Sequence, residues 1–193
     1  RITSSPDGME VDGLALTIGT GRLAADTRLG PGRTSADIRL EALPLAMTRV
    51  LSPAAPSRGT LATRLTLRSE RGDTIGDGRI ELRGAGFDDA AGAGAEARTD
   101  GDVTLRLGGG TLAADGALVG PPGSKVTLAA RLPVRLPAGA TAPVVNHNGP
   151  IDGRLGIDAD IAKLSRLLAL ADQRIEGRMQ GELTVDGTLA EPQ

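Results

Sequence analysis

Few residues in this 193-residue chain carry side chains that do chemistry by themselves. There is no cysteine, one histidine (His147) and one aromatic residue (Phe87). That excludes thiol catalysis, disulfide scaffolds, iron–sulfur clusters and thiolate zinc sites, and it leaves His147 without a second imidazole for a metal or a relay. What remains is glycine-rich loops and paired carboxylates. Gly19-Thr20-Gly21-Arg22-Leu23-Ala24 fits the dinucleotide fingerprint in letter, with Glu41 20 residues past Gly21. The chemistry needs a helix after the glycines, its N-terminus facing the pyrophosphate; Ala25-Asp26-Thr27-Arg28-Leu29-Gly30-Pro31-Gly32 reads as strand, then turn. Gly120-Pro121-Pro122-Gly123-Ser124-Lys125 lacks the spacing and residue order of a phosphate loop and reads as a hairpin turn. Asp88/Asp89, Asp100/Asp102 and Asp158/Asp160 are carboxylate pairs of the kind that bind calcium or share a proton. They fall in turns or on wet strand faces, without a calcium-loop pattern or a pocket signature. No G-x-S-x-G elbow is present, and His147 lies in a Pro/Asn/Gly loop. The expectation is a protein that is not an enzyme, with no metal and no cofactor.

The charges give no alternative partner. Twenty-two basic against 24 acidic residues leave a net charge of −2, and no basic stripe is interleaved with aromatics, so nucleic acid and anionic membrane surfaces have no electrostatic footprint here. The hydrophobic fraction is 39%, almost all Leu, Ala, Val and Ile, and it is regularly placed, so the chain is not disordered. No stretch approaches the roughly 20 apolar residues of a membrane span, and no signal-peptide pattern is present. The chain begins at Arg1 and ends Glu191-Pro192-Gln193, and it reads as an excerpt of a longer protein.

The elements that position these residues are strands. Val126, Leu128, Ala130, Leu132, Val134 and Leu136 alternate with Thr127, Ala129, Arg131, Pro133 and Arg135; Val103, Leu105 and Leu107 alternate with Asp102, Thr104 and Arg106. The same period of two links Leu14, Leu16 and Ile18; Leu61, Leu65 and Leu67; Ile80 and Leu82; Ile151, Leu155 and Ile157; and Met179, Leu183 and Val185. Alternation puts one set on each face of a sheet, and a charged or hydroxylic outer set makes that sheet mainly antiparallel with one wet face. Glycine and proline, 28 and 12 residues, supply turn signals at Asp12-Gly13, Gly30-Pro31-Gly32, Asp77-Gly78, Asp100-Gly101, Asp115-Gly116, Gly120–Gly123, Asn148-Gly149 and Asp186-Gly187. Turns that close together predict strands of roughly six to eight residues, and a dozen of them a sheet close to 60 Å long. Two stretches follow a helical period: Asp160–Ala171, with Asp160 as N-cap, and Pro44–Leu51. Ala90–Ala97 reads as a low-complexity loop and Pro137–Asn148 as a long connection.

An internal repeat runs through this pattern. Gly21–Asp26 recurs as Gly110–Asp115 at an offset of 89, and Leu43-Pro44-Leu45 as Leu132-Pro133-Val134 at the same offset; Gly30-Pro31 matches Gly120-Pro121 at 90. Arg58-Gly59-Thr60-Leu61 is echoed 118 residues later by Glu176-Gly177-Arg178-Met179. The organisation expected is one continuous segment, 1–193, with units at about 12–84 and 101–190. Its inward aliphatic set is Leu14, Leu16, Leu65, Leu67, Ile80, Leu82, Val103, Leu105, Leu107, Val126, Leu128, Leu132, Val134, Leu155, Ile157, Leu183 and Val185. Such a face either buries against itself in a sandwich or barrel or lines a groove for an aliphatic ligand.

Leu43-Pro44-Leu45-Ala46 followed by Arg58-Gly59-Thr60-Leu61 resembles a pattern of the TamB family, the inner component of the translocation and assembly module. So does Gly153-Arg154-Leu155, then Ala159-Asp160-Ile161-Ala162-Lys163-Leu164, Leu167-Leu168 and Ile175-Glu176-Gly177-Arg178, ending Leu183-Thr184-Val185-Asp186-Gly187-Thr188-Leu189-Ala190-Glu191-Pro192. The closing Val-x-Gly-Thr-Leu-x-x-Pro is its most characteristic piece. The resemblance covers most of the chain and implies an all-β U-shaped trough (β-taco) with an aliphatic interior, as in AsmA-like, bridge-like lipid transfer proteins. It further implies a periplasmic location, an inner-membrane anchor outside this chain, and work with the outer-membrane barrel TamA. The expected cargo is phospholipid acyl chains; a third reading has one open strand edge recruiting an unfolded outer-membrane β-strand by β-augmentation. The reading from another class is a closed structural β-repeat module of a surface adhesin or autotransporter passenger.

Overall fold

The computed structural model describes residues 1–50, 56–70, 72–86, 98–120, 124–140, 142–160 and 177–191. Alternation becomes one antiparallel sheet of eleven strands in the order β1-β2-β3-β4-β5-β6-β7-β8-β9-β12-β13, not closed into a barrel. The strands are β1 (Ile2–Ser5), β2 (Gly8–Ile18), β3 (Gly21–Gly30), β4 (Arg33–Pro44), β5 (Arg58–Glu70), β6 (Asp73–Gly86), β7 (Thr99–Gly108), β8 (Thr111–Val119), β9 (Lys125–Leu132), β12 (Pro150–Asp160) and β13 (Arg178–Thr188). A separate two-stranded sheet joins β10 (Val134–Arg135) to β11 (Val144–Val145). The stretch expected as a helix from Pro44 is a 3-10 helix, Leu45–Val50, because Pro44 is still the last residue of β4. The Ala90–Ala97 loop, Asp88/Asp89 and all of the Asp160–Ala171 helix except Asp160 itself lie outside the described residues. Asp160 is the end of β12.

The strands are longer than expected, up to 14 residues in β6, because most Asp-Gly pairs are not turns. Asp77-Gly78, Asp100-Gly101, Asp115-Gly116 and Asp186-Gly187 all lie inside strands. Pairing explains why. Each Asp is on the polar face and the following Gly is on the apolar face, and at Gly78, Gly101 and Gly116 a neighbouring strand's side chain leans over the glycine. A Cβ on Gly78 would lie 3.2 Å from Leu105 Cβ and 3.5 Å from Leu65 Cδ1; one on Gly116 would lie 2.7 Å from Val103 Cγ2; one on Gly101 would overlap Leu118 Cδ2. These glycines are sockets for aliphatic side chains, not hinges of a hairpin.

Asp12-Gly13 is also not a turn. It is a bulge in β2 between Val11 and Leu14, with Gly13 at φ +58° donating its N–H to Asp26 Oδ1 at 2.8 Å. Gly84 repeats the device in β6, at φ +60° and donating to Asp100 Oδ1 at 2.8 Å. A third bulge, between Leu40 and Leu43 in β4, contains Ala42 at φ +49°. Each inserts residues that shift the parity of one strand and bend it, so the apolar set stays on the same face past the irregularity.

The internal sequence likeness falls on strands five apart: Gly21–Asp26 in β3, Thr111–Asp115 in β8. In a meander, strands an odd number apart run in opposite directions, so β3 and β8 are antiparallel and no shift along the sheet superposes one copy on the other. Both keep their leucines, Leu23 and Leu112, on the apolar face.

The socket interpretation makes a measurable claim. Gly76 faces Leu67 across β5–β6, and a Cβ there would run into the Thr66 carbonyl oxygen and Leu67 Cδ2. Gly153 has only Val185 atoms at 3.7 Å. Gly76→Ala should therefore destabilise by about 1–3 kcal/mol through overpacking, whereas Gly153→Ala should be neutral or stabilise by up to about 1 kcal/mol through the unfolded chain's lost freedom. Urea denaturation of the two variants side by side checks the order.

Candidate functional site: an open aliphatic face

Directly paired residues in an antiparallel ladder share a face, so the register reads out continuous rows running across the strands. The first row is Val11, Thr27, Ala36, Leu67, Gly76, Leu107, Leu112 and Leu132, and the second is Leu14, Ala25, Ile38, Leu65, Gly78, Leu105, Ala114, Ala130, Gly153 and Val185. The third is Leu16, Leu23, Leu40, Thr63, Ile80, Val103, Gly116, Leu128, Leu155 and Leu183, and the fourth is Leu43, Leu61, Leu82, Gly101, Leu118, Val126, Ile157 and Gly181. From β2 to β13 the second and third rows cross ten strands, about 43 Å at 4.8 Å per spacing.

All of the aliphatic residues expected on the inner face lie in these four rows, except Val134. Uninterrupted alternation put it there, but buried Pro133 has no N–H for the ladder; β9 stops at Leu132 and Val134 pairs with Val145 in the small sheet. The rows also contain Val11, Leu23, Ile38, Leu40, Leu43, Leu61, Leu112 and Leu118, which are not in the expected inward set. Ile38 and Leu40 alternate visibly in sequence. The bulge before Leu43 breaks the parity, and Asp-Gly pairs taken as turns cut β8 short.

This face is not a core. None of the second or third row is buried, and Leu16, Leu128 and Leu183 are 47%, 41% and 59% exposed. Among the described residues the buried apolar side chains are Val11, Ala36, Leu45, Ala85, Pro133 and Ala159, which lie toward the margins rather than in the middle. The whole chain exposes 12464 Å², against roughly 8,600 Å² for a compact protein of this size. No second layer of described strands packs across the rows.

At one margin the tips of the β3–β4 and β5–β6 hairpins meet the chain that leaves β9. There the row of residues turns hydroxylic: Thr34, 4% exposed, takes a hydrogen bond from the Gly139 N–H on Oγ1 at 2.7 Å, and its own N–H donates to Ser69 Oγ. Asp73 pairs with Arg135, whose guanidinium pKa it raises by accepting a hydrogen bond from it.

The opposite face is wet and charged. Arg39, Arg64 and Arg79 are direct neighbours across β4–β6, relieved by Asp37 on Arg39 and by Glu81 and Asp102 on Arg79. Arg28 pairs with Glu10 at 2.6 Å, and Arg154 with Glu182 at 3.1 Å. The surface hollows sit mainly among such charges, one lined by Asp115, Arg131, Asp152 and Arg154. The candidate chemical groups are dispersed. Gly19 and Thr20 form the β2–β3 turn, with a strand instead of a helix following; Asp100 and Asp102 serve Gly84 and Arg79; His147 is exposed in a turn, its carbonyl accepting the Ala190 N–H at 3.0 Å. Among the described residues no three His, Cys, Asp or Glu side chains are grouped to hold a metal, and no helix is long and apolar enough to cross a membrane.

Two measurements follow. Leu128→Ala, on the open rows, should cost about 1 kcal/mol or less, while Leu45→Ala, 5% exposed at the start of the 3-10 helix, should cost about 2–5 kcal/mol. Equal costs would mean that the rows behave as a core. At the β12–β13 edge, Asp158 accepts from Arg178 Nε and Nη2 at 2.7 and 2.8 Å, which lowers its pKa from the ordinary 3.8. A lowered carboxylate pKa stabilises the fold above the ordinary value and stops doing so as pH falls through the lowered one. Below pH 3.8, then, Asp158→Asn should narrow the gap in β13 amide protection from wild type, and above it the variant should be the less protected. Comparison with protein-family profiles, with curated proteins and with solved structures finds no match to this chain.

Proposed function

We propose that the aliphatic face is a noncatalytic groove for the acyl chains of phospholipid, one segment of a periplasmic conduit between inner and outer membranes. The observation that carries this is the continuity of the four rows across the sheet with their middle left open. A globular protein does not leave two rows of mainly aliphatic residues unburied along ten strands without something to cover them. The closed-module alternative needs those rows buried against a facing layer, and among the described residues no such layer lies over them.

The energetics suit the task. Each methylene moved from water to an apolar lining gains about 0.8 kcal/mol, so a 16-carbon chain gains on the order of 12 kcal/mol. The gain is nondirectional, and a lining of interchangeable Leu, Val and Ile offers nearly the same energy at each step, so a chain slides without deep traps. The glycine sockets support this, since leucines that lie over Gly76, Gly78 and Gly101 leave a lower, smoother surface than leucines standing upright. No nucleophile, acid or metal enters the process. The motifs that resemble the TamB family supply the setting: the barrel TamA as partner of the longer protein, and outer-membrane protein assembly as the associated process.

Mass spectrometry of gently purified protein should find phospholipid, and photocrosslinking from Leu128 in cells should give a lipid adduct. Leu105→Asp or Leu128→Arg places a charge in the second or third row, where it meets the acyl chain unpaired. Either variant, folded by circular dichroism, should lose most of the bound lipid and block transport in the parent protein. Undiminished lipid in a folded charged variant sinks the proposal.

A further inference from the structure

The chain between β9 and β12 does more than connect them. Leaving the sheet at Pro133, it lies against β8 and β7 through β10, bridges the β5–β6 tip at Pro137 and seats Gly139 on the β3–β4 tip. The seat is specific. Gly139 has φ +82°, and a Cβ there would run into the Gly30 carbonyl oxygen. It is also thinly held. Its bonds to the hairpin tips are Thr74 N–H to Leu136 O at 2.7 Å, Ala138 N–H to Gly72 O at 3.1 Å, Gly139 N–H to Thr34 Oγ1 and the exposed Arg135–Asp73 pair, while the Asn146 N–H to Pro133 O bond at 2.9 Å and the β10–β11 pairs tie it to the residues that follow rather than to the main sheet. Neighbouring strands of the main sheet are instead joined along a ladder.

The seated arrangement also carries a penalty. Thr74 is on the apolar face, 2% exposed, and its Oγ1 has no hydrogen-bond partner. A buried hydroxyl without a partner disfavours the state that buries it, and lifting the segment would return it to water. A specific seat, few bonds and a penalty relieved on release are the properties of a segment that opens locally while the rest stays folded. We propose that Pro133–Ala140 is a latch at the rim of the groove, which opens with the eleven-stranded ladder intact and admits an acyl chain to the first row at Leu107 and Leu112. The opening stands on the geometry above; the admission rests on the acyl-groove function.

Amide hydrogen exchange tests the opening. The latch donors, the N–H groups of Thr74, Ala138 and Gly139, should exchange at least about a hundredfold faster than ladder amides in the middle of β5 and β6. Thr74→Val removes the unpaired hydroxyl at constant shape and should slow the latch amides about tenfold without changing the ladder. Latch amides that exchange at the ladder rate, or that ignore Thr74→Val in a folded variant, overturn the latch. A second variant does not depend on position 74. Asp73 and Pro137 form a non-hydrogen-bonded antiparallel pair, whose Cα separation of about 4.5 Å lies within the disulfide range, and the chain has no native cysteine to interfere. Oxidised D73C/P137C should bring the latch amides to the ladder rate and slow uptake of a long-chain fluorescent fatty acid at least tenfold, with reduction restoring both. Equal uptake in both redox forms overturns the gate. If no probe binds either form, the acyl-groove function fails, and exchange alone still decides whether the latch opens.

Discussion

Register is the constraint on which the rest of this molecule depends. A sheet with no facing layer among the described residues cannot rely on a buried core to choose among pairings, and a one-residue slip at any of its strand pairs would send every leucine beyond it to the charged face. Ten strands in phase, β2 to β13, are needed for the four rows to exist at all. The Asp26 and Asp100 side chains, each holding a bulge glycine, fix that phase at points where the strands bend, and the glycine sockets add a second lock because a slipped leucine finds no space.

The charged face contributes in another way. Exposed ion pairs such as Arg28–Glu10 and Arg154–Glu182 add little stability, since solvent screens them and their side chains lose freedom in forming them. Their value is in what they prevent. Two such sheets cannot stack by their charged faces without desolvating rows of arginine and aspartate, so association is confined to the aliphatic side.

The sequence makes the class of fold legible, and nearly all of the lining, because period two depends only on which side chains must avoid water. It misplaces punctuation. Asp77-Gly78, Asp100-Gly101 and Asp115-Gly116 carry the composition of hairpin turns, yet an Asp on the wet face followed by a Gly beneath a neighbour's leucine has the same two letters. The distinction lies in the adjacent strand, not in the dipeptide. Bulges hide for a similar reason: Leu40 and Leu43 lie on one face only because Glu41 and Ala42 together occupy the place of one residue. The latch had no local signal at all, since Thr34, Thr74 and Gly139 are brought together by topology alone.

The alternation of strand direction has a consequence for flux. A meander alternates its strand directions, so reversing the long axis of the sheet returns up-strands and down-strands in the same aliphatic setting. Such a track has no backbone polarity from which a ratchet can be built. If the proposed acyl chains occupy it, detailed balance assigns any net movement to the difference in lipid chemical potential between its two ends. Vectorial transport along this surface would be a property of its sources and sinks.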